Sequence, residues 1–263
     1  MFAVLKKKLQ ERFLRYFYHH FMSHIQRMLA ENIDYVLGDA KKRDKVVYTC
    51  LTGDYDALPL YEYLDSRFDY ICFTDNKELL RYGRYGFWTI KPLVFTELDN
   101  QLNNRWHKTH PHILFPDYDE SIYIDSNITI LSPAVFDEVD SKNGNIMIPL
   151  HFKNSCIYDE CMDVLKKNLA SKKDVESICN LLKNDGFPKN YGLNENNFMY
   201  RRHKDSTVIN IMEDWWKLIL NYCKRDQLSL AYVLWKYGIR PYDIAIKNLR
   251  LDKRNFYFSG HKK

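Results

Sequence analysis

Two oxygen-bearing side chains, Asp125 and Asn127, follow a hydrophobic stretch of the chain and lie two positions apart. The preceding residues 121–124 have the apolar character of a buried β-strand. Oxygen ligands suit a hard divalent cation such as Mg²⁺ or Mn²⁺, which often binds through one or two carboxylates together with substrate phosphates. The alternative is an Asx turn, in which the same side chains bond only to the local backbone. The pair therefore predicts either a metal site or a tight turn.

Polar clusters also follow two other apolar stretches. They are TGDYD (52–56) and TDN (74–76). In an open α/β sheet, ligands bind beyond the carboxyl ends of the strands, so the three clusters predict one pocket. The chain has no GxGxxG and no GxxxxGK[ST] motif. We therefore expect a nucleotide to be held by other means, namely stacking on Tyr55 and ribose contacts from Asp75.

Short apolar strands alternate with helical stretches from residue 46 onwards. The expected strands cover 46–51, 70–73, 88–90, 121–124 and 145–149. The expected helices cover 104–114, 158–184, 208–223 and 226–237. This alternation predicts an α/β fold in which helices flank a mixed, mainly parallel sheet of Rossmann type.

Residues 2–38 have an apolar residue at every third or fourth position and a polar face rich in lysine and arginine, which predicts an amphipathic helix. A glycine and a charged run mark its end, so we divide the chain into a helix and linker, 1–44, and one domain, 45–263. The helix either packs on the domain or on a second subunit, or lies on an anionic membrane. The sequence leaves these alternatives open.

The net charge of +5 over 263 residues is unevenly distributed. Residues 1–45 carry +5 and residues 247–263 carry +5, whereas the part between them carries −5. A nucleic-acid-binding protein would be expected to spread its basic residues over the folded body. We therefore expect no nucleic-acid partner.

The sequence also predicts where the protein resides. No apolar run approaches the roughly 20 residues needed to span a bilayer. Lysines and a glutamate interrupt the first 14 residues, so no secretory signal is expected. These features predict a cytoplasmic protein, with peripheral contact to the inner face of the membrane as an open alternative.

The six cysteines are then expected to be reduced, and the absence of a CxxC pair argues against a zinc ribbon.

A longer pattern is similar to that of a known family. The segments RWHKTHPHILFP (105–116) and YIDSN (123–127) resemble the glycosyltransferase-like domain family of plant mucilage-related and bacterial surface-polysaccharide proteins. Further matching segments are 48–56, 73–75, 156–160, 200–203, 215–216 and 225–229, with His151. The resemblance covers residues 46–240 and implies a GT-A fold with a nucleotide-sugar site and an Asp-x-Asp-type metal motif.

The resemblance implies a set of metal ligands. Asp125 would be the main ligand, and Asn127 stands where the usual motif has a second Asp. A neutral amide oxygen binds a cation less strongly than a carboxylate does. The C-terminal segment 256–263 is similar to the late His-Gly-Lys segment of some retaining glycosyltransferases, which makes His261 the third candidate ligand. The alternative for this segment is a disordered basic end.

The resemblance also implies donor-binding residues. These are Thr49, Gly53, Tyr55, Asp75, Arg105, Lys108, Gln227 and Lys262. Arg105 and Lys108, on the helix before the metal motif, would contact the donor diphosphate. The alternative interpretation is that Arg105 and Lys108 belong to a solvated, basic face of the helix.

Two carboxylates are candidates for catalysis. Asp226 is the best candidate for a carboxylate near the reacting carbon, because an Asp-Gln pair at this place faces the sugar or the acceptor in similar GT-A enzymes. The alternative role for Asp226 is to cap the N-terminus of the helix that follows it. Glu160 is the second candidate, and a general base must reach the acceptor hydroxyl at hydrogen-bond distance.

Together these features predict a metal-dependent glycosyltransferase. It would move a sugar from a nucleoside diphosphate sugar, most simply a UDP-sugar, to a surface glycan or lipid-linked acceptor with Mn²⁺ or Mg²⁺. Two other classes remain open. One is a nucleotide- or glycan-binding module without catalysis, which Asn127 favours, and the other is a metal hydrolase.

Overall fold

A computed structural model of the chain describes residues 43–53 and 56–260. The predicted helix 2–38 and the candidates Tyr55, His261 and Lys262 lie outside the described residues. Within these residues, no helix is both long enough and apolar enough to cross a membrane.

Short strands and helices alternate along most of the described chain. The strands are β1 (Lys45–Leu51), β2 (Phe68–Thr74), β3 (Arg84–Tyr85), β4 (Trp88–Pro92), β5 (Glu120–Ile124), β6 (Ile128–Ile130), β7 (Ile146–Pro149), β8 (Phe198–Arg201), β9 (Ala245–Ile246) and β10 (Phe256–Phe258). The helices are α1 (Lys77–Tyr82), α2 (Asn100–Thr109), α3 (Pro111–Leu114), α4 (Ala134–Lys142), α5 (Ile157–Lys166), α6 (Lys172–Asn184), α7 (Ser206–Asn221) and α8 (Leu230–Lys236). A 3₁₀ turn, Asp226–Leu228, precedes α8.

One eight-stranded sheet organises the fold in the order β3-β4-β2-β1-β5-β8-β7-β9. Neighbouring strands from β4 to β5 are parallel, and so are β7 and β9. β8 runs antiparallel to both β5 and β7, and β3 runs antiparallel to β4. The expectation of a mixed, mainly parallel sheet is therefore confirmed. Because β8 is antiparallel, its first residue lies beside the last residue of β5, with Phe198 opposite Ile124.

Both faces of the sheet are buried, which explains the continuous apolar runs of its central strands. Along β1, Val47 and Leu51 pack into one core with residues of α4 and β10. Val46 and Tyr48 point to the other face, where they belong to the core that includes α7. The sheet therefore lies between two apolar layers, and its central strands are fixed from both sides.

A third, smaller core lies next to the sheet. It contains apolar residues of α5 and α6 together with Leu228 of the 3₁₀ turn and Tyr232 of α8. This core supports the turn that carries Asp226.

The structure corrects several predicted boundaries. The helix expected at 104–114 begins earlier, at Asn100, because Asp99 caps it, and a second short helix follows from Pro111. The helix expected at 158–184 is two helices, since Asn168 adopts a positive φ of 52° and Ser171 caps the second one. The helix expected at 226–237 begins as the 3₁₀ turn, and α8 follows it.

Candidate active site at the carboxyl end of the sheet

Asp125 is the first residue after β5 and belongs to a turn that leads into β6. Its backbone N–H donates to the carbonyl of Asn197 at 2.8 Å, and its own carbonyl accepts from Ile128 at 3.1 Å. The side chain is 36% exposed. The carboxylate of Asp125 therefore points from a backbone fixed on both sides towards a solvent-accessible edge of the sheet.

Asn127 lies in the same turn and contacts the last described part of the chain. The backbone N–H of Ser259 donates to its carbonyl at 2.9 Å, and its Nδ2 is 3.5 Å from the carbonyl of Ser259. These contacts extend the antiparallel pairing of β6 with β10. They bring the chain that immediately precedes His261 and Lys262 next to the predicted metal motif.

Lys108 connects Asp125 to Asp226. Its Nζ donates to Oδ2 of Asp226 at 2.7 Å and lies 3.8 Å from Oδ1 of Asp125. The ammonium also lies 4.9 Å from the centre of the Tyr123 ring. Because only 2% of the side chain is exposed, the alternative of a solvated basic helix face is wrong for Lys108.

Asp226 is surrounded by cations. Nε of Arg105 lies 3.5 Å from its Oδ1. Burial alone would raise the pKa of Asp226, but the charges of Arg105, Lys108 and Arg225 hold it well below its usual range. The carboxylate is therefore ionised over the whole physiological pH range.

We refer to Asp226, Lys108, Arg105, Arg225 and Asp125 as the Asp226 cluster. It contains three cations and two carboxylates, so it carries one more positive than negative charge. The part of the chain between its two basic ends carries a net charge of −5. The surplus positive charge at this point is therefore local, and it arises because the fold brings Arg105 and Lys108 to the Arg225-Asp226 pair.

The 3₁₀ turn that carries Asp226 is held by its backbone. The carbonyl of Asp226 accepts from Nε1 of Trp215 at 3.2 Å and from Nδ2 of Asn196 at 3.3 Å. Nε2 of the adjacent Gln227 donates to the carbonyl of Asn194. The carboxylate itself bonds to Lys108, so its observed role is that of a buried ion-pair partner.

The end of β1 is joined to the end of β2 and to the start of α2. The N–H of Gly53 donates to both carboxylate oxygens of Asp75, at 3.0 and 3.1 Å. The hydroxyl of Thr52 donates to the carbonyl of Asn100 at 2.9 Å. Gly53 has a φ of +65°, and a Cβ at this position would lie 2.2 Å from Nδ2 of Asn100. The positive φ therefore favours glycine here, and any side chain would also displace the amide of Asn100.

Two further candidates lie elsewhere. Thr49 is fully buried within β1, and its hydroxyl has no hydrogen-bond partner. Glu160 lies on α5, where its Oε2 accepts from Nδ2 of Asn154 at 2.7 Å and is 3.7 Å from Nε2 of His151. The carboxylate of Glu160 thus contacts the loop after β7, and the described contacts do not connect it to Lys108.

A polar segment that the sequence analysis missed borders this site. Residues 194–197 (NENN) are all buried and directly precede β8. The amide oxygens of Asn194 and Asn196, and both amide atoms of Asn197, have no hydrogen-bond partner. Buried polar atoms are nearly always hydrogen-bonded, so these atoms indicate a place where a polar ligand or water binds. The signal in the sequence was a run of four polar residues directly before the apolar segment FMY.

A metal ion would find a limited set of ligands here. Among residues 43–53 and 56–260, no group of three or more His, Cys, Asp or Glu side chains could hold a metal ion. Asp125 supplies a carboxylate, and the contact of Nδ2 of Asn127 with Ser259 leaves its amide oxygen as the atom to meet a cation. Two oxygen ligands fit an ion that completes its shell with water and substrate phosphates.

Comparison with known proteins gives a family match and a number of similar solved structures, including two glycosyltransferases. A family model described as "TOD1/MUCI70, glycosyltransferase-like domain" matches residues 41–253. The bifunctional glycosyltransferase WbbM, in its apo form, is 10% identical over 81% of this chain and 40% of that chain, with a TM-score of 0.47. Mouse xyloside xylosyltransferase 1, also apo, is 12% identical over 78% of this chain and 84% of that chain, with a TM-score of 0.41. The chain thus spans 40% of the first of these structures. No curated protein matches the chain.

Proposed function

The chain belongs to the TOD1/MUCI70 glycosyltransferase-like domain family, and from this premise we propose that it transfers a sugar from a UDP-sugar to a glycan or lipid-linked acceptor, assisted by Mn²⁺ or Mg²⁺. The family makes the chain a transferase of the glycosyltransferase type. The nucleotide, the metal and the acceptor are the parts that we propose. We argue them from the charges and the unpaired polar atoms at the carboxyl end of the sheet.

The observation that carries the proposal is the charge of the Asp226 cluster. Three cations face two carboxylates next to the ends of β1, β2 and β5. Charge within a largely buried cluster is screened much less than charge on the surface. A diphosphate that binds there would meet the surplus positive charge, which would also stabilise the diphosphate as the leaving group.

Arg105 and Lys108 have different proposed roles in this cluster. The side chain of Lys108 is almost fully enclosed, so we assign it to holding Asp125 and Asp226 in position. The side chain of Arg105 is 16% exposed, and its Nε has no hydrogen-bond partner. The guanidinium of Arg105 is therefore the group that we expect to contact the donor diphosphate.

Asp125 and Asn127 are the residues that would hold the cation. A divalent cation bound there would supply positive charge to the diphosphate as the bond to the sugar breaks. The chain itself supplies one carboxylate and one amide oxygen, so we expect weaker metal binding than at a site with two carboxylates.

Asp226 is suited to a charged role and not to proton transfer. The surrounding cations lower its pKa, so the carboxylate is a poor proton acceptor at neutral pH. We propose that it stays ionised and stabilises positive charge that develops at the reacting carbon. Glu160 is the second candidate, for accepting the proton of the acceptor hydroxyl, and its contacts with Asn154 and His151 place it outside the Asp226 cluster. The unpaired amides of residues 194–197 suit the hydroxyls of the bound sugar, because an amide both donates and accepts.

The test is a panel of nucleotide sugars with the full chain. Thermal shift with and without Mn²⁺ identifies the donor, since a ligand at 100 times its Kd stabilises the folded state by about 2.7 kcal/mol. Turnover of that donor is then measured for Asp125→Ala and for a control, Asp119→Ala. Asp119 is an exposed carboxylate that pairs with Lys204. We expect Asp125→Ala to lose turnover and the control to retain it.

Three outcomes would contradict the proposal. Binding of UDP without turnover of any sugar would favour a binding module. Product release from a phosphoester without a nucleotide sugar would favour a hydrolase. Unchanged donor binding and turnover in Asp125→Ala would exclude the metal role of Asp125.

A further inference from the structure

Two thiols outside the candidate active site are in direct contact. Cys161 lies on α5 and Cys179 on α6, and their sulfur atoms are 3.0 Å apart. Both are free thiols, as are the other four cysteines. An S–S bond measures about 2.05 Å, so bond formation requires the two sulfurs to approach by about 1 Å. The two thiols are therefore close to the geometry of a disulfide.

The two cysteines differ in accessibility. Cys161 is buried with Ile157 and Val164 on the inner face of α5, whereas Cys179 is partly exposed at the edge of the apolar face of α6. Cys50, Cys72, Cys156 and Cys223 are all buried. A small reagent would therefore reach Cys179 first.

The same contact makes Cys179 the more reactive thiol. Its hydrogen bond with Cys161 lowers the pKa of Cys179 to about 7, although partial burial opposes this, and the charge of Lys183 adds to the lowering. The thiolate is the nucleophile in disulfide exchange, so a lowered pKa favours Cys179 as the attacking thiol. The pKa of Cys161 is raised by the shared hydrogen bond and by burial, so it stays protonated until its partner has reacted.

We propose that Cys161 and Cys179 form a reversible disulfide, with a low-molecular-weight disulfide as the co-reactant. The Cys179 thiolate attacks one sulfur of the reagent, which gives a mixed disulfide and releases one reagent thiol. Cys161 then loses its proton and attacks the Cys179 sulfur, which releases the second reagent thiol. The two protein thiols are oxidised, the reagent is reduced to two thiols, and the two cysteine protons end on those thiols.

The bond would change a specific part of the fold. α5 and α6 form the third core together with Leu228 of the 3₁₀ turn. A bond between the helices would close a loop of 18 residues beneath the turn that carries Asp226. Closing a loop of this size removes conformational freedom from the unfolded chain, which stabilises the folded state. We therefore expect the melting temperature to rise by about 6–12 °C on oxidation.

The experiment treats the full chain with oxidised glutathione and then counts free thiols in denaturant. We expect the count to fall from six to four in the wild type, with one linked peptide that contains Cys161 and Cys179. Cys161→Ser should stop at the mixed disulfide and carry one glutathione on Cys179. Cys179→Ser should lose no thiols.

Cys223→Ser is the matched control, because Cys223 is buried in the same core. It should form the disulfide as the wild type does, so that its count falls by two. Melting curves of the reduced variants establish that each one folds. A wild-type count that stays at six, a linked peptide that contains Cys223, or the loss of two thiols in Cys179→Ser would overturn the proposal.

Discussion

Lys108 and Asp226 are 118 residues apart in the sequence, and their side chains form an ion pair of 2.7 Å with exposed fractions of 2% and 5%. The lysine lies on α2 and the aspartate at the start of the 3₁₀ turn. The pair therefore joins the helix before the metal motif to the core formed by α5 and α6. It links the stability of the fold to the charge of the candidate site.

Removal of the Asp226 carboxylate should strongly destabilise the protein. In Asp226→Ala, the buried charges of Lys108 and Arg105 lose their partner, and breaking a buried ion pair typically costs about 3–5 kcal/mol. The measurement is the free energy of unfolding in urea. Lys204, which pairs with Asp119 on the surface, supplies the control, and Lys204→Ala should leave this free energy almost unchanged. A loss below about 1 kcal/mol in Asp226→Ala would mean that the pair does not hold the fold.

The parts of this site that the sequence predicts are those next to buried parallel strands. Strands β1, β2 and β5 are continuous apolar runs, and the polar residues directly after them, including Asp75 and Asp125, lie at one edge of the sheet. Local sequence is sufficient here, because the strand and its functional residue are adjacent in the chain.

The parts that the sequence does not predict depend on distant contacts. Lys108 has the local pattern of a basic residue on an exposed helix face, and only its contact with Asp226 shows that it is buried. Residues 194–197 have the polarity of a loop, although they are buried beside Asp125. In both places the tertiary contacts override what local polarity indicates.

The stability of the protein should decrease as the pH falls from about 6.5 towards 4. Burial lowers the pKa of His107 and of His203 from 6.5 to about 4. The unfolded chain therefore binds protons in this range that the folded chain does not, so unfolding becomes more favourable as the pH decreases. Below about pH 4, the stability that the neutral forms of His107 and His203 contribute is lost completely. The measurement is urea unfolding between pH 7 and pH 4.5.

His107→Gln tests the origin of this pH dependence. In the wild type, Nε2 of His107 accepts from the N–H of Val94 at 2.9 Å, and its Nδ1 lies 2.7 Å from the carbonyl of Asn103. The glutamine side chain offers an acceptor oxygen and an NH₂ donor group, but it does not titrate. The variant should show a shallower loss of stability between pH 6.5 and 4.5. An unchanged slope would assign the effect to other groups.

Gly53→Ala should weaken donor binding, whereas Gly238→Ala should not. Both glycines have a φ near +70°, so alanine is strained at both positions and should cost about 1 kcal/mol of stability. Only at Gly53 does the new Cβ meet Nδ2 of Asn100, whereas nothing lies within 4 Å at Gly238. We expect the UDP Kd to rise about tenfold for Gly53→Ala alone, which corresponds to about 1.4 kcal/mol. Calorimetric titration checks this, and equal Kd values in the two variants would contradict a role for the β1 turn.

Asn127→Asp should strengthen metal binding. The substitution places a second carboxylate two residues after Asp125, and added ligand charge tightens the binding of hard cations. We expect the Kd of Mn²⁺ in the presence of UDP to fall about tenfold, measured by calorimetry or by Mn²⁺ electron paramagnetic resonance. The control is Asn221→Asp, an exposed amide at the end of α7 whose substitution adds the same charge elsewhere. If the two variants bind Mn²⁺ alike, then Asn127 is no metal ligand. If UDP binds the wild type equally well in excess chelator, then the surplus charge of the Asp226 cluster holds the diphosphate without a metal ion.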